Sequence, residues 1–126
     1  MNIYPNIVRE DERLEVAFSS SDARLSCINV RFVLDFDQFG EVIGIEILNL
    51  KDQAGSRCLD KVEDVLKDSV RGLHHSYDDA VDAFYLRMSE ERSIDQKAVD
   101  GVLVLNGKRQ IVSFRVDAQM DQQTHA

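Results

Sequence analysis

The segment RFVLDFDQFGEVIGIEI (residues 31–47) has a counterpart, DGVLVLNGKRQIVSFRV (residues 100–116), which aligns with it without a gap at an offset of 69. Seven positions are apolar in both segments. Val33, Leu34, Phe36, Val42, Ile43, Ile45 and Ile47 align with Val102, Leu103, Leu105, Ile111, Val112, Phe114 and Val116. A shared pattern at a fixed offset is typical of an internal repeat.

Each segment predicts a β-hairpin around a polar turn. The turns are DQFG (residues 37–40) and NGKR (residues 106–109), and Asn-Gly is a strong hairpin signal. A third strand precedes each hairpin, RLEVAFS (residues 13–19) in copy one and AFYLRMS (residues 83–89) in copy two. Because apolar residues alternate in both, each copy is expected to form three strands whose apolar face must be covered.

A helix is predicted between the copies. Apolar residues recur there at steps of three and four, which places them on one helix face: Leu59, Val62, Leu66, Val70 and Leu73. Ser56 and Asp60 are equally plausible starts. The predicted fold class is α+β, with two three-stranded antiparallel units related by a pseudo-twofold and one linking helix packed on the sheet. We expect a single compact domain over 1–126, divided into copy one (12–50), the linking helix (56–74), copy two (77–117) and a flexible tail (118–126).

Composition narrows the classes of function. The formal charge is −8 and the 15 basic residues are scattered, which disfavours nucleic acid as a partner. No apolar run approaches the roughly 20 residues that a membrane span needs. The first residues lack the features of a signal peptide, so a cytoplasmic protein without membrane contact is expected. The two cysteines, Cys27 and Cys58, belong to no metal or redox motif, and each is expected to be a buried or half-buried free thiol.

Two stretches resemble a known family. YDDAVDAFYLRM (residues 77–88) is similar to the opening pattern YDxxADALYIxL of the short bacterial family called domain of unknown function 2283. The family's second stretch, GVxVDxDxxGxVxGIEIL, is matched closely by VLDFDQFGEVIGIEIL (residues 33–48). Residues 101–116 keep the opening GVLVLN but have Ser113, Phe114 and Arg115 where the family has Gly-Ile-Glu. The chain is therefore identified as a tandem-repeat member.

The resemblance implies no established activity and no catalytic residues. Such genes often lie beside small toxin-like partners, which implies a protein-interaction role with a toxin-like or regulatory partner. Copy one lacks the YDxxxDA opening, and copy two lacks the GIEIL ending. The resemblance therefore implies that any ancestral site would survive here only in split form.

Two polar clusters suggest metal ligands, and both have a simpler interpretation. The run from Asp35 to Glu46 approaches the calcium-loop pattern, but Phe39 replaces one ligand and the flanks read as strands. A second cluster combines acidic residues with adjacent histidines: Asp78, Asp79, Asp82, His74 and His75. Adjacent histidines point in different directions, and aspartates are common in turns, so we predict a structural turn rather than a metal site.

Six residues are candidates for a pocket or an interface: Tyr77, Asp78, Tyr85, Arg87, Glu46 and Arg115. Tyr77 could line a pocket mouth or pack on the sheet edge, with Asp78 capping the turn. Glu46 and Arg115 occupy equivalent positions and are predicted to meet across the pseudo-twofold. No catalytic, cofactor-binding or metal-binding residue is predicted. The leading hypothesis is a non-catalytic interaction or regulatory module, monomeric or homodimeric; the alternative is a small-molecule binder with a pocket between the repeats, lined by Tyr85, Arg87 and the histidines.

Overall fold

A computed structural model of the protein describes residues 4–10, 13–20, 24–67 and 73–117. Eight strands form one antiparallel sheet in the order β1-β2-β8-β7-β3-β4-β6-β5. Their bounds are β1 Asn6–Glu10, β2 Arg13–Ala17, β3 Ser26–Phe36, β4 Val42–Leu48, β5 His74–Asp78, β6 Ala83–Arg87, β7 Asp95–Leu105 and β8 Ile111–Asp117.

The predicted α+β fold of two three-stranded units is wrong. Strands hold 54% of the described residues and helices 12%, and the strands form one curled sheet. Each half supplies four strands, because β1 and β5 pair with β2 and β6 as short hairpins. These two strands escaped prediction since NIVRE and HHSYD do not alternate apolar and polar residues.

The two halves are interleaved in the sheet rather than packed as separate units. β2 of the first half pairs with β8 of the second, and β6 of the second pairs with β4 of the first. The long strands β3 and β7 pair at the centre, where Arg31 lies opposite Asp100, 69 positions further along the chain. Both hairpins have a register shift, between Asp35 and Phe36 and again 69 positions later.

Two short helices follow β4, and the second of them falls within the predicted linking helix over 56–74 but is shorter. They are α1, Leu50–Ala54, and α2, Asp60–Lys67. Val62 and Leu66 of α2 are buried as their spacing predicts, together with Leu59 just before the helix. Leu73 lies outside any helix, whereas Val70 falls outside the described residues, as do the predicted tail 118–126 and residue 12.

One face of the sheet and the helices enclose a single core. Its centre is Phe114, whose ring makes edge contacts with Phe18, Phe32 and Phe84 at centroid distances of 5.1, 6.0 and 5.9 Å. These rings come from both halves of the chain, so neither half completes the core by itself. Side chains that alternate with the core positions form the opposite, outer face, which includes Val33, Glu46, Tyr85 and Arg115.

Both hairpin turns have the same construction. The Asp37 carboxylate accepts hydrogen bonds from the amides of Phe39 and Glu41, and the Asn106 side chain accepts from Lys108 and Gln110. The residues with positive φ are Gly40 (80°) and Arg109 (62°). The Asn-Gly signal therefore located the second turn correctly, but Asn106 acts through its side chain and Gly107 does not supply the left-handed conformation.

The described helices are too short and too polar to span a membrane.

Candidate functional site

The two stretches that carry the family resemblance meet in space. β4 carries the GIEIL ending and β6 follows the YDxxxDA opening, and Gly44, Glu46 and Leu48 lie opposite Arg87, Tyr85 and Ala83. We call this pairing the β4–β6 junction. The two stretches that resemble the family are therefore adjacent in space, because strand exchange between the halves pairs β4 with β6.

A partly buried polar network lies on the outer face of the junction. The Tyr85 hydroxyl donates to Asp35 Oδ2 at 2.8 Å, and Gln96 Nε2 donates to Asp35 Oδ1 at 2.6 Å. Only 6% of Asp35 is exposed. Burial, and then the hydrogen bond to the Asp35 carboxylate, raises the pKa of Tyr85, which keeps the phenol protonated as the donor.

Gly44 provides the space in which this network forms. A Cβ atom at Gly44 would lie 2.4 Å from the Tyr85 hydroxyl oxygen and 2.8 Å from Asp35 Oδ2. Gly44 of the GIE sequence in β4 and Tyr85 thus contribute to the same polar network, although they are 41 positions apart in the chain.

The other half has no counterpart of this network. Val104 and Ser113 take the places of Asp35 and Gly44, and Glu15 takes the place of Tyr85. Glu15 there accepts from Arg115 Nε at 2.8 Å. The predicted Glu46–Arg115 pair is therefore wrong: β7 and β3 lie between their strands, which corresponds to about 14 Å at three strand spacings.

A second cluster forms where the β5–β6 turn meets α1. Asn49, at the N-cap of α1, has a left-handed backbone and provides no side-chain cap. Asp82 takes this role from the other half of the chain: its carboxylate accepts from the amides of Lys51 (2.9 Å) and Asp52 (3.0 Å) and from the Tyr77 hydroxyl. The Lys51 ammonium lies 4.3 Å from the centroid of the Tyr77 ring.

Electrostatics in this second cluster favour an ionised Asp82 beside a neutral Tyr77. The hydrogen bond to Asp82 raises the pKa of Tyr77 to about 12. Burial by itself raises the pKa of Asp82, but the bonds from Tyr77, Lys51 and Asp52 outweigh it and the pKa is lowered. The arrangement is that of a helix cap.

Asp78 and Arg87, two further predicted site residues, have structural partners. Asp78 accepts from the Ala80 amide at 2.9 Å and so caps the turn. Arg87 donates to the carbonyls of Ser89 and Glu91, both at 2.7 Å, and His74 on the same face lies 3.1 Å from Glu90. His75 points to the opposite face, beside Phe84, so the two histidines do not line one cavity with Arg87.

Within the part of the chain that the structure describes, no group of three or more His, Cys, Asp or Glu residues is arranged to hold a metal ion. Cys58 is buried, and burial raises the pKa of its thiol to about 11, which makes it a poor nucleophile. Cys27 is exposed, contrary to the expectation of a buried thiol.

An open depression of about 500 Å³ lies elsewhere on the sheet. It is lined by residues of β2, β7 and β8, including Arg13, Glu15, Asp100, Arg115 and Asp117. Of the six predicted candidates, Arg115 alone belongs to it.

Comparison of the chain with family models, curated proteins and solved structures found no match. Asp35, Gly44 and Asp82 lie inside the two stretches that resemble the family, so the resemblance could have pointed to each of them. Gln96 lies in neither stretch, and nothing in its local sequence points to the network.

Proposed function

We propose that this protein is a non-catalytic interaction module of the family called domain of unknown function 2283, fused as a tandem pair. The carrying observation is that polar groups of the two family-like stretches are held by hydrogen bonds within the protein. Asp35 accepts from Tyr85 and Gln96, and Asp82 accepts from Tyr77 and two amides. Among the described residues, no buried side-chain nitrogen or oxygen lacks a hydrogen-bond partner. Polar groups whose hydrogen bonds are all made within the protein stabilise the shape of its surface and are not available to act on a substrate.

The interleaved strands support the fused-pair interpretation. β3 and β7 have equal lengths and pair in a register that is symmetric about Arg31 and Asp100. Two separate copies that exchanged β2 and β6 in this manner would form an intimate dimer. Joining them in one chain gives a continuous sheet whose outer face is available to a partner.

Crosslinking in the native host cell tests the proposal. The tagged full chain is crosslinked, purified under denaturing conditions and analysed by mass spectrometry, alongside an outer-face variant, Val33→Glu, and a control on α2, Glu63→Gln. A protein partner should be enriched with wild type and the control and lost with Val33→Glu, provided all three show the same melting transition. Absence of any enriched partner would contradict the proposal.

The second candidate is a small-ligand binder. The depression between β2, β8 and β7 favours it, because its walls come from both halves and carry charges of both signs. A thermal-shift screen of metabolites and metal ions tests this candidate, since a ligand that binds the native state must raise the melting temperature. A stabilising compound whose effect is lost in Arg13→Ala would favour this function over the first.

A further inference from the structure

Glu46 differs from the other acidic residues that the structure buries in whole or in part. Among the described residues, the buried or half-buried acids are Glu15, Asp35, Asp37, Glu46, Asp60, Asp82 and Asp117. Six of these have side-chain partners or other interactions. Within the described part of the chain, the Glu46 side chain makes no hydrogen bond or ion pair.

The position equivalent to Glu46 in the other half does have a partner within the chain. Arg115 stands 69 positions after Glu46 and forms its ion pair with Glu15, which lies opposite it on β2. Opposite Glu46 on β6 stands Tyr85, whose hydroxyl donates to Asp35 instead. Arg115 therefore has an ion-pair partner within the chain, whereas Glu46 at the equivalent position has none among the described residues.

Val33 and Tyr85 flank Glu46 on the neighbouring strands, and Leu48, on the same face of β4, is 47% exposed. Arg31 and Arg87 lie on this face too, but Arg31 donates to Asp100 and Arg87 donates to the carbonyls of Ser89 and Glu91. We call Val33, Glu46, Leu48 and Tyr85 the Glu46 patch. It lies on the outer face, opposite the helices, so no described helix covers it.

We propose that the Glu46 patch binds a basic segment of a protein partner, with an arginine or lysine pairing with Glu46 and apolar neighbours packing on Val33 and Leu48. Because the Glu46 carboxylate has no partner among the described residues, it is available for a charge-assisted hydrogen bond, which is roughly twice as strong as a neutral one. The formal charge of −8 attracts basic segments from a distance and speeds their association. This inference rests on the proposed function and names the partner's chemistry.

Peptide selection tests the inference with a defined probe. A phage library of random 12-residue peptides is selected on the immobilised full chain, and enriched peptides are then measured by titration calorimetry. We expect Arg or Lys with apolar neighbours, at least ten-fold weaker binding to Glu46→Gln, and unchanged binding to Glu63→Gln, which removes the same charge from exposed α2. Binding should also weaken as salt rises. Glu46→Arg should abolish binding of the basic peptides while leaving the melting transition in place.

Three outcomes would overturn the inference: selected peptides without basic residues, basic peptides that bind Glu46→Gln as tightly as wild type, or no enriched peptide. In the second case the interaction function still stands at another surface. If crosslinking also recovers no partner, the proposed function fails as well.

Discussion

Two glycines occupy positions where neighbouring side chains leave no room for a Cβ atom. Gly44 lies under the Tyr85 hydroxyl, and a Cβ at Gly101 would lie 2.3 Å from Cε2 of Phe32. The Phe32 ring therefore crosses the backbone of β7 where the two halves meet. In each case the absence of a side chain on glycine lets an aromatic side chain from a neighbouring strand pack against the backbone.

Gly44→Ala is expected to destabilise the protein by about 1–3 kcal/mol, the usual cost of overpacking. The methyl group would displace the Tyr85 hydroxyl from Asp35. Gly107→Ala is the matched control, because its nearest neighbour, Arg24 Cβ, lies 3.6 Å away. Urea denaturation of both variants measures the difference, and equal stability would contradict the role given to Gly44.

The Asp35 network predicts non-additive behaviour. Tyr85→Phe leaves a buried carboxylate with one donor fewer and should cost about 1–3 kcal/mol. Asp35→Val introduces the residue type that Val104 provides in the other half. The double variant should be less destabilised than the sum of the singles, because both polar partners are gone. A double-mutant cycle by urea denaturation measures the coupling, and strict additivity would contradict a direct interaction.

The short helix α1 depends on a residue from the other half of the chain. With only five residues it cannot form by propensity alone, and its N-terminal amides are satisfied by Asp82 from the β5–β6 turn. Asp82 itself has φ of 54°, which aspartate and asparagine tolerate better than most residues. Sequence periodicity cannot reveal such a cap, since donor and acceptor lie about 30 residues apart.

Asp82→Asn keeps the left-handed backbone but replaces one of the two carboxylate oxygens that accept from the Lys51 and Asp52 amides. It is expected to reduce stability at neutral pH by about 0.5–1.5 kcal/mol, the net contribution of one hydrogen bond. Because the folded pKa of Asp82 is lowered, its ionised form stabilises the fold above the unfolded pKa of about 3.9. That stability is lost as pH falls through the lower, folded pKa. Urea denaturation at pH 7 and at successively lower pH should show wild type converging on the variant below about pH 4, and a constant difference would contradict the assignment.

The arrangement of strands makes the halves mutually dependent. β2 and β6 each pair with a hairpin from the opposite half, and Phe114 packs on rings from both halves. At the centre the halves differ: Phe32 stands where the second half has Gly101. Two copies of the first half would bring two rings into the space of one, and two copies of the second half would leave a cavity.

Separately produced fragments 1–70 and 71–126 should therefore prefer each other to themselves. Native mass spectrometry of the mixture is expected to show the 1:1 complex in excess over either homodimer, with the circular dichroism of the full chain. Gly101→Phe in the second fragment should weaken this complex. A statistical mixture of homo- and heterodimers would contradict the role of the Phe32–Gly101 contact.

The full chain is expected to be monomeric, because the exchanged strands are already paired within it. Light scattering coupled to size exclusion at several concentrations measures this. A large obligate oligomer would contradict the fused-pair interpretation.

The sequence by itself determined the hairpins, the strands β2 and β6, the buried face of α2 and the exact offset between β3 and β7. All of these follow from short-range patterns within single segments, in which alternation or helical spacing reflects burial. Only the tertiary structure decided which hairpin β2 and β6 each pair with, because the pattern of β2 fits the edge of either hairpin equally well. That choice brought Asp35, Gly44 and Tyr85 together, gave Asp82 to α1, and left Glu46 without a partner. Each of these contacts joins residues that are far apart in the chain. Burying their polar groups costs free energy unless hydrogen bonds form, and those partners come together only in the folded sheet.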